Sequence, residues 1–396
     1  MTSDTRTGPP TPLAPLPYNR PDITEEEIAA VVETLRSGWL TTGPRVARFE
    51  EEFAAYVGAR HAVAVNSATA ALHLALDAAG IGPGDEVITT PLTFAACANV
   101  IVQQGARPVL VDVSPDDLNL DPEQVERRIT PRTRALMAVH YAGQPCRMDA
   151  LLDIAHRHRL FLIEDAAHAV GAAYRGRMIG SLGDATAFSF YATKNLTTGE
   201  GGMLTTNRPE VAERARLMTM HGMSRDAWKR YAHGGSWYYE VVAPGYKYNM
   251  SDLQAALGLV QLRRLATMNA RRAVLAARLT AHLGDCEAVQ PPVARPEVRH
   301  VWHLYVIRLR LEMLRIDRAA FIEELARRGI GSSVHFIPIH YHPYYREGFG
   351  FRRGEFPVAE DAYERIVSLP LYPAMSEADV DRVAEAVRDV VRAHRR

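Results

Sequence analysis

Apolar positions along this chain switch repeatedly between a strand-like and a helix-like spacing, and the order of the switches predicts the architecture. Short apolar runs at Ala62–Val65, Glu86–Thr90, Pro108–Val113, Ala135–His140 and Leu160–Asp165 read as strands, mostly with helical patterns between them. The run Leu160-Phe161-Leu162-Ile163 is apolar on both faces, which suits a central parallel strand. This order predicts an α/β fold with a mainly parallel central sheet flanked by helices. Two helices precede it. The first opens with Thr24 and Glu27 as a capping box and stops near Gly38; the second runs from Pro44 to Gly58. Beyond the alternating run Ala185–Phe190, a long amphipathic stretch extends from Ser251 to about His282, after which the pattern changes. From Trp302 onward the chain reads as a smaller α+β region with a strand at His303–Arg310, a helix at Asp317–Arg328 ending at Gly329, and a final helix from Ser376. The expected division is a mobile tail over 1–16, a large domain over 17–262 and a small C-terminal domain over 263–396.

Composition narrows the function classes. With 396 residues and 47% of them hydrophobic, the chain can bury enough surface for two domains. Lys plus Arg and Asp plus Glu each number 46, so no basic surface points to nucleic acid or to an acidic membrane. The cysteines, Cys97, Cys146 and Cys286, lack the paired spacing of a zinc or redox site, so no metal is expected and a reducing cytoplasm fits. The stretch through Pro17 is rich in Pro and Thr without an apolar core, which reads as a tail rather than a signal peptide. No apolar run approaches the ~18 residues of a membrane span, so a soluble protein is expected.

The chemistry concentrates in two stretches, Ile163-Glu164-Asp165-Ala166-Ala167-His168 and Ser189-Phe190-Tyr191-Ala192-Thr193-Lys194-Asn195. Together they offer an amine able to form a Schiff base and a carboxylate able to hold a pyridine nitrogen protonated, the pair that pyridoxal phosphate (PLP) chemistry needs. Asp165 falls at the carboxyl end of a strand, where open α/β sheets bind ligands; an ordinary helix cap is the other reading. Lys194 lies between the alternating run and the turn Thr197-Thr198-Gly199-Glu200-Gly201-Gly202, an unusual position for a simple surface charge. Asn66-Ser67-Ala68-Thr69-Ala70, between a strand and an Ala/Leu-rich helix, suits a phosphate at the positive helix end or a plain N-cap. Phe94 is either a stacking partner for a pyridine ring or a core residue.

With these segments in order, the sequence resembles the DegT/DnrJ/EryC1/StrS family of PLP-dependent sugar aminotransferases. The resemblance rests on Glu164–His168, Ser189–Asn195, Gly199–Gly202 and Gly245-Tyr246-Lys247-Tyr248-Asn249-Met250-Ser251-Asp252, with Ser37-Gly38-Trp39-Leu40-Thr41-Thr42-Gly43-Pro44 near the start. It covers nearly everything after the tail.

The resemblance implies the PLP-dependent aminotransferase fold type I and a role for each matching position. Lys194 would hold PLP and move a proton as general base and acid. Asp165 would pair with the ring nitrogen, and His168 would lie near the ring hydroxyl. Ser67, Ala68 or Thr69 and Ser189 would bind the phosphate, joined by Asn249 from the neighbouring subunit of a homodimer with shared active sites. Family relatives that dehydrate rather than transaminate replace the lysine with histidine, so Lys194 implies transamination. The implied substrates are L-glutamate and a nucleotide-linked keto-sugar, most like a UDP- or TDP-4-keto-6-deoxyhexose or 4-keto-pentose aminated at C4 for amino-sugar biosynthesis. Amination at C3 or of a keto-inositol is the near competitor, and a non-catalytic PLP-binding regulator is the alternative of another class. For the sugar nucleotide, Trp39, Lys247 and His335 are the expected contacts, with His221, Trp237, Tyr238 and His340 as further candidates.

Overall fold

In the computed structural model of the chain, residues 14–223 and 238–396 are described. The strands of the central sheet are β1 (His61–Val65), β2 (Glu86–Thr89), β3 (Arg107–Leu110), β4 (Thr133–Val139) and β5 (Phe161–Asp165), followed after the short pair β6 (Ala173–Tyr174) and β7 (Arg177–Met178) by β8 (Ala185–Ser189) and β9 (Gly202–Thr206). They form a seven-stranded sheet in the order β1-β9-β8-β5-β4-β2-β3. Every pairing is parallel except those of β9, which runs antiparallel to both β1 and β8.

Successive side chains of a strand face opposite ways, and here both faces are buried. Ala62, Ala64, Leu136, Ala138 and Leu162 join one core cluster, whereas Val63, Val65, Ala135, Met137 and Ile163 join another. This explains why these strands read as continuous apolar runs. The helices α1 (Glu25–Ser37) and α2 (Pro44–Val57) begin and end where expected, with Gly38 and Gly58 in the left-handed region at φ 73° as their C-caps.

The long helix Asp252–Leu283, capped by Ser251 and Gln254, joins the two parts of the molecule. Its N-terminal part, through Met268, supplies Ala255, Leu259, Leu262 and Met268 to the large core, and its C-terminal part supplies Leu275, Ala276, Leu279 and Leu283 to a separate cluster. Around that second cluster lie β10 (Val289–Gln290), β12 (Tyr305–Leu309) and β13 (Ile366–Leu369), which form a three-stranded antiparallel sheet, and the final helix Glu377–His394. The remaining strand, β11 (Val298–Arg299), pairs with β6 of the large part.

The expected tail needs a correction at its inner end. Leu16 is buried in the small-domain cluster and bridges Ile330, because its backbone N–H donates to the Gly329 carbonyl and its carbonyl accepts from Gly331. Residues 1–13 of the expected tail lie outside the described residues.

Candidate active site

The carboxyl ends of β5 and β8 lie side by side, with Asp165 in register with Ala187, so Asp165 and the loop carrying Lys194 emerge at the same edge of the sheet. β5 is the central strand of the seven. A cavity of about 480 Å³ opens there, lined by Asp165, His168, Ser189 and Lys194, by Ser67, Ala68 and Thr69 at the start of α3 (Ala68–Ala78), by Phe94, and by His335.

Each side chain is held by identifiable neighbours. The Asp165 carboxylate accepts from the Ala167 backbone N–H at 3.0 Å and from the Cys97 thiol at 2.9 Å. Next to it in sequence, Glu164 is fully buried and accepts from His140 Nε2, Gly183 N–H and Thr186 Oγ1 at 2.8 to 2.9 Å. Because His140 Nδ1 accepts from the Cys146 N–H, the tautomer that donates to Glu164 is fixed. Glu164 therefore pins the strand end from which Asp165 projects.

The Lys194 loop is tied down by its own motif. Lys194 N–H donates to the Tyr191 carbonyl at 2.9 Å, and the buried Asn195 amide donates to Asn269 Oδ1 and the Val301 carbonyl at 2.8 and 2.9 Å. Burial disfavours the ammonium form and brings Lys194 down to about 8, against the opposing attraction of Asp165. His168 is held well below its usual range by burial, with Lys194 and His335 adding to the effect. His335 is pushed down to about 4 by burial and by Lys194. These imidazoles are neutral at physiological pH.

The small part of the molecule supplies the opposite wall. His335 stacks on Tyr18 with ring centroids 5.6 Å apart and places Nδ1 2.9 Å from Ser368 Oγ. Phe336 stacks on His168 at 5.7 Å and faces Phe94 at 6.0 Å. Tyr18, Asn19, His303 and Phe336 line the cavity without having been foreseen as contacts. Asn19 donates to the carbonyl of Thr193, next to Lys194, at 3.3 Å. No local motif marks Tyr18 or Asn19, whereas Phe336 sits beside the His335 that was singled out.

Trp39, Lys247 and Asn249 do not line this cavity within one chain. Asn249 donates to Thr42 Oγ1 at 2.7 Å, and both border a separate depression with Trp39, whose indole N–H donates to the Thr42 carbonyl. Lys247 is exposed, with Nζ 3.3 Å from Met220 Sδ. The segment carrying Lys247 and Asn249 packs toward Thr42 and Met220, so within one chain Asn249, expected from the neighbouring subunit, and the sugar-nucleotide candidates Trp39 and Lys247 lie away from this cavity. Tyr238 and His221 are exposed, His340 is buried against Glu360 away from the cavity, and Trp237 lies outside the described residues.

The residues present fit PLP. His168 lines the cavity, and its Nδ1 is a buried polar atom with no hydrogen-bond partner among the described residues. The first-turn N–H groups of Ala68 and Thr69 have no carbonyl within their own helix to bond, and they meet the positive end of α3, where a phosphate is favoured. Gly202 allows β9 to approach this turn: a Cβ there would lie 2.5 Å from the Ser67 carbonyl carbon and 2.7 Å from Ala68 N. Among the described residues no group of His, Cys, Asp and Glu is arranged to hold a metal ion, and no helix is long and apolar enough to cross a membrane.

Comparison with known proteins agrees with this geometry. Residues 21–388 match the DegT/DnrJ/EryC1/StrS aminotransferase family. The spore coat polysaccharide biosynthesis protein SpsC of Bacillus subtilis is 57% identical over 378 residues, 95% of this chain and 97% of that relative. Among solved structures, the putative sugar aminotransferase Spr1654 from Streptococcus pneumoniae in its PMP form superposes with a TM-score of 0.90 at 36% identity, covering 96% of this chain and 99% of that one. DesV of S. venezuelae, solved with a ketimine intermediate, gives a TM-score of 0.85 at 40% identity over 93% of this chain and 94% of its own. The fold is that of PLP-dependent aminotransferases, with the expected sheet and flanking helices.

Proposed function

This chain belongs to the DegT/DnrJ/EryC1/StrS aminotransferase family and is a PLP-dependent aminotransferase, and from that premise we propose that it transfers an amino group from L-glutamate to C4 of a nucleotide-linked 4-keto-sugar. The broader part of this reading, a sugar aminotransferase of amino-sugar or polysaccharide biosynthesis, draws on the relatives named above. The observation that carries it is the joint presence around one cavity of Lys194, Asp165 and His168.

When bound, PLP supplies an electron sink for the pair left behind as an amino donor loses its α-proton. Lys194 is the attachment point and afterwards the base and acid at that carbon, a role suited to an amine whose charge is weakened by burial. Asp165 holds the ring nitrogen protonated, and its two hydrogen bonds fix the carboxylate in place. His168 would face the ring hydroxyl, Phe94 would pack on the ring, and Ser67, Ala68, Thr69 and Ser189 would hold the phosphate. His335 faces the sugar. Trp39, Lys247 and Asn249 act across the interface of a homodimer, since within one chain they lie outside the cavity.

The test is direct. Purified protein mixed with L-glutamate should convert the bound coenzyme's absorbance to that of the pyridoxamine form, and a panel of UDP- and TDP-linked keto-sugars should reverse it, with product NMR locating the new amine at C4. Conversion by no amino donor would refute the enzymatic reading, and an amine at C3 would refute the regiochemistry alone.

A further inference from the structure

Asp165 has one partner that the motif around it does not announce. Cys97 lies in the helix Ala96–Gln103, 68 residues away in sequence, and is fully buried. Its Sγ is 2.9 Å from Asp165 Oδ2 and 3.1 Å from Thr93 Oγ1, while the Ala167 N–H occupies Oδ1 at 3.0 Å. Thr93 itself lines the cavity. The carboxylate is thus gripped at both oxygens, by the backbone on one side and by a side chain from a different helix on the other.

We propose that Cys97 is a positioning residue for the coenzyme: its thiol donates to Asp165 and sets the orientation of the carboxylate that faces the pyridine nitrogen. The proposal rests on the reading of Asp165 given above. Burial and the neighbouring carboxylate both hold the thiol well above its usual pKa, so it stays protonated and remains a donor. Were it a thiolate, it would repel Asp165 rather than hold it. The competing role is simple packing, because Cys97 also belongs to the apolar cluster on that face of the sheet.

Two substitutions separate these roles. Cys97→Ser keeps a donor but sacrifices apolar character; Cys97→Val keeps apolar volume but removes the donor, and Cys97→Ala serves if valine disturbs folding. In the holoenzyme, the readouts are the pH midpoint of the coenzyme absorbance band and the dissociation constant of pyridoxamine phosphate. Ser should stay within about twofold of the parent, whereas Val and Ala should loosen pyridoxamine phosphate by about 2- to 10-fold, the range expected for one net hydrogen bond, and move the absorbance midpoint. Unchanged readouts in Val and Ala, or a Ser variant as impaired as they are, would overturn the proposal. Asp165→Asn is the companion control. If it changes both readouts while the Cys97 variants do not, only the role of Cys97 fails; if it changes neither, the reading of Asp165 fails first and the proposal with it.

Discussion

At pH 7 an ordinary lysine offers roughly one neutral amine in a few thousand, and bringing the value to about 8 raises that fraction to the order of a tenth. Lys194 gains this by burial beside the central strand rather than from a neighbouring cation, and Asp165 keeps the shift from going further. Because only the neutral amine attacks an aldehyde, the rate at which apoprotein captures PLP should rise with pH through about 8 and level off above it. Stopped-flow absorbance would follow this; a midpoint near the ordinary 10.5 would contradict it. At this scale the sequence made Lys194, Asp165 and His168 legible, because each sits in a compact motif. It concealed Cys97 and Asn19, whose partners lie 68 and 174 residues away. A contact closed by folding leaves no periodicity to read.

Among the elements, helix ends were the most legible. Thr24 with Glu27 forms the capping box that its spacing implies, and the helices expected from Ser251 and Ser376 start there, capped by Gln254 and Asp379 in the same way. The strand β9 was less legible, since Gly202-Met203-Leu204-Thr205-Thr206 follows a glycine turn and its antiparallel direction depends on where the chain returns. That return has a purpose at the site. β9 inserts between β1 and β8 and brings Gly202 against the first turn of α3. Gly202→Ala should therefore push Ser67 and Ala68 aside and weaken PLP retention at least several-fold, together with a loss of about 1–3 kcal/mol in stability from overpacking. Equilibrium dialysis and chemical denaturation would measure the two effects. A variant that binds PLP normally would show that the α3 turn does not hold the phosphate.

For the whole molecule, the sequence indicated two parts and put their division at 262/263, inside the long amphipathic stretch. The long helix runs through that point and serves both cores, and Leu16, assigned to the tail, is buried in the smaller one. An amphipathic helix keeps one repeat whichever core it faces, so its pattern carries no boundary. Tyr18, stacked on His335 of the small part, and Asn19, bonded to the Lys194 loop, then link the two parts, so the cavity depends on both. The proposed sharing of sites between two subunits is testable by complementation: Asn249→Ala and Lys194→Ala, each expected to be severely impaired alone, should regain activity when combined in a mixed dimer, because one of its two sites then carries neither change. No recovery would mean that Asn249 does not serve a neighbour's site. The claim beneath all of this is the attachment of PLP to Lys194, and borohydride reduction of the holoenzyme followed by peptide mapping tests it most directly. The label should fall on the peptide containing Lys194 and disappear in Lys194→Ala; a label on another lysine, or none, would contradict the account.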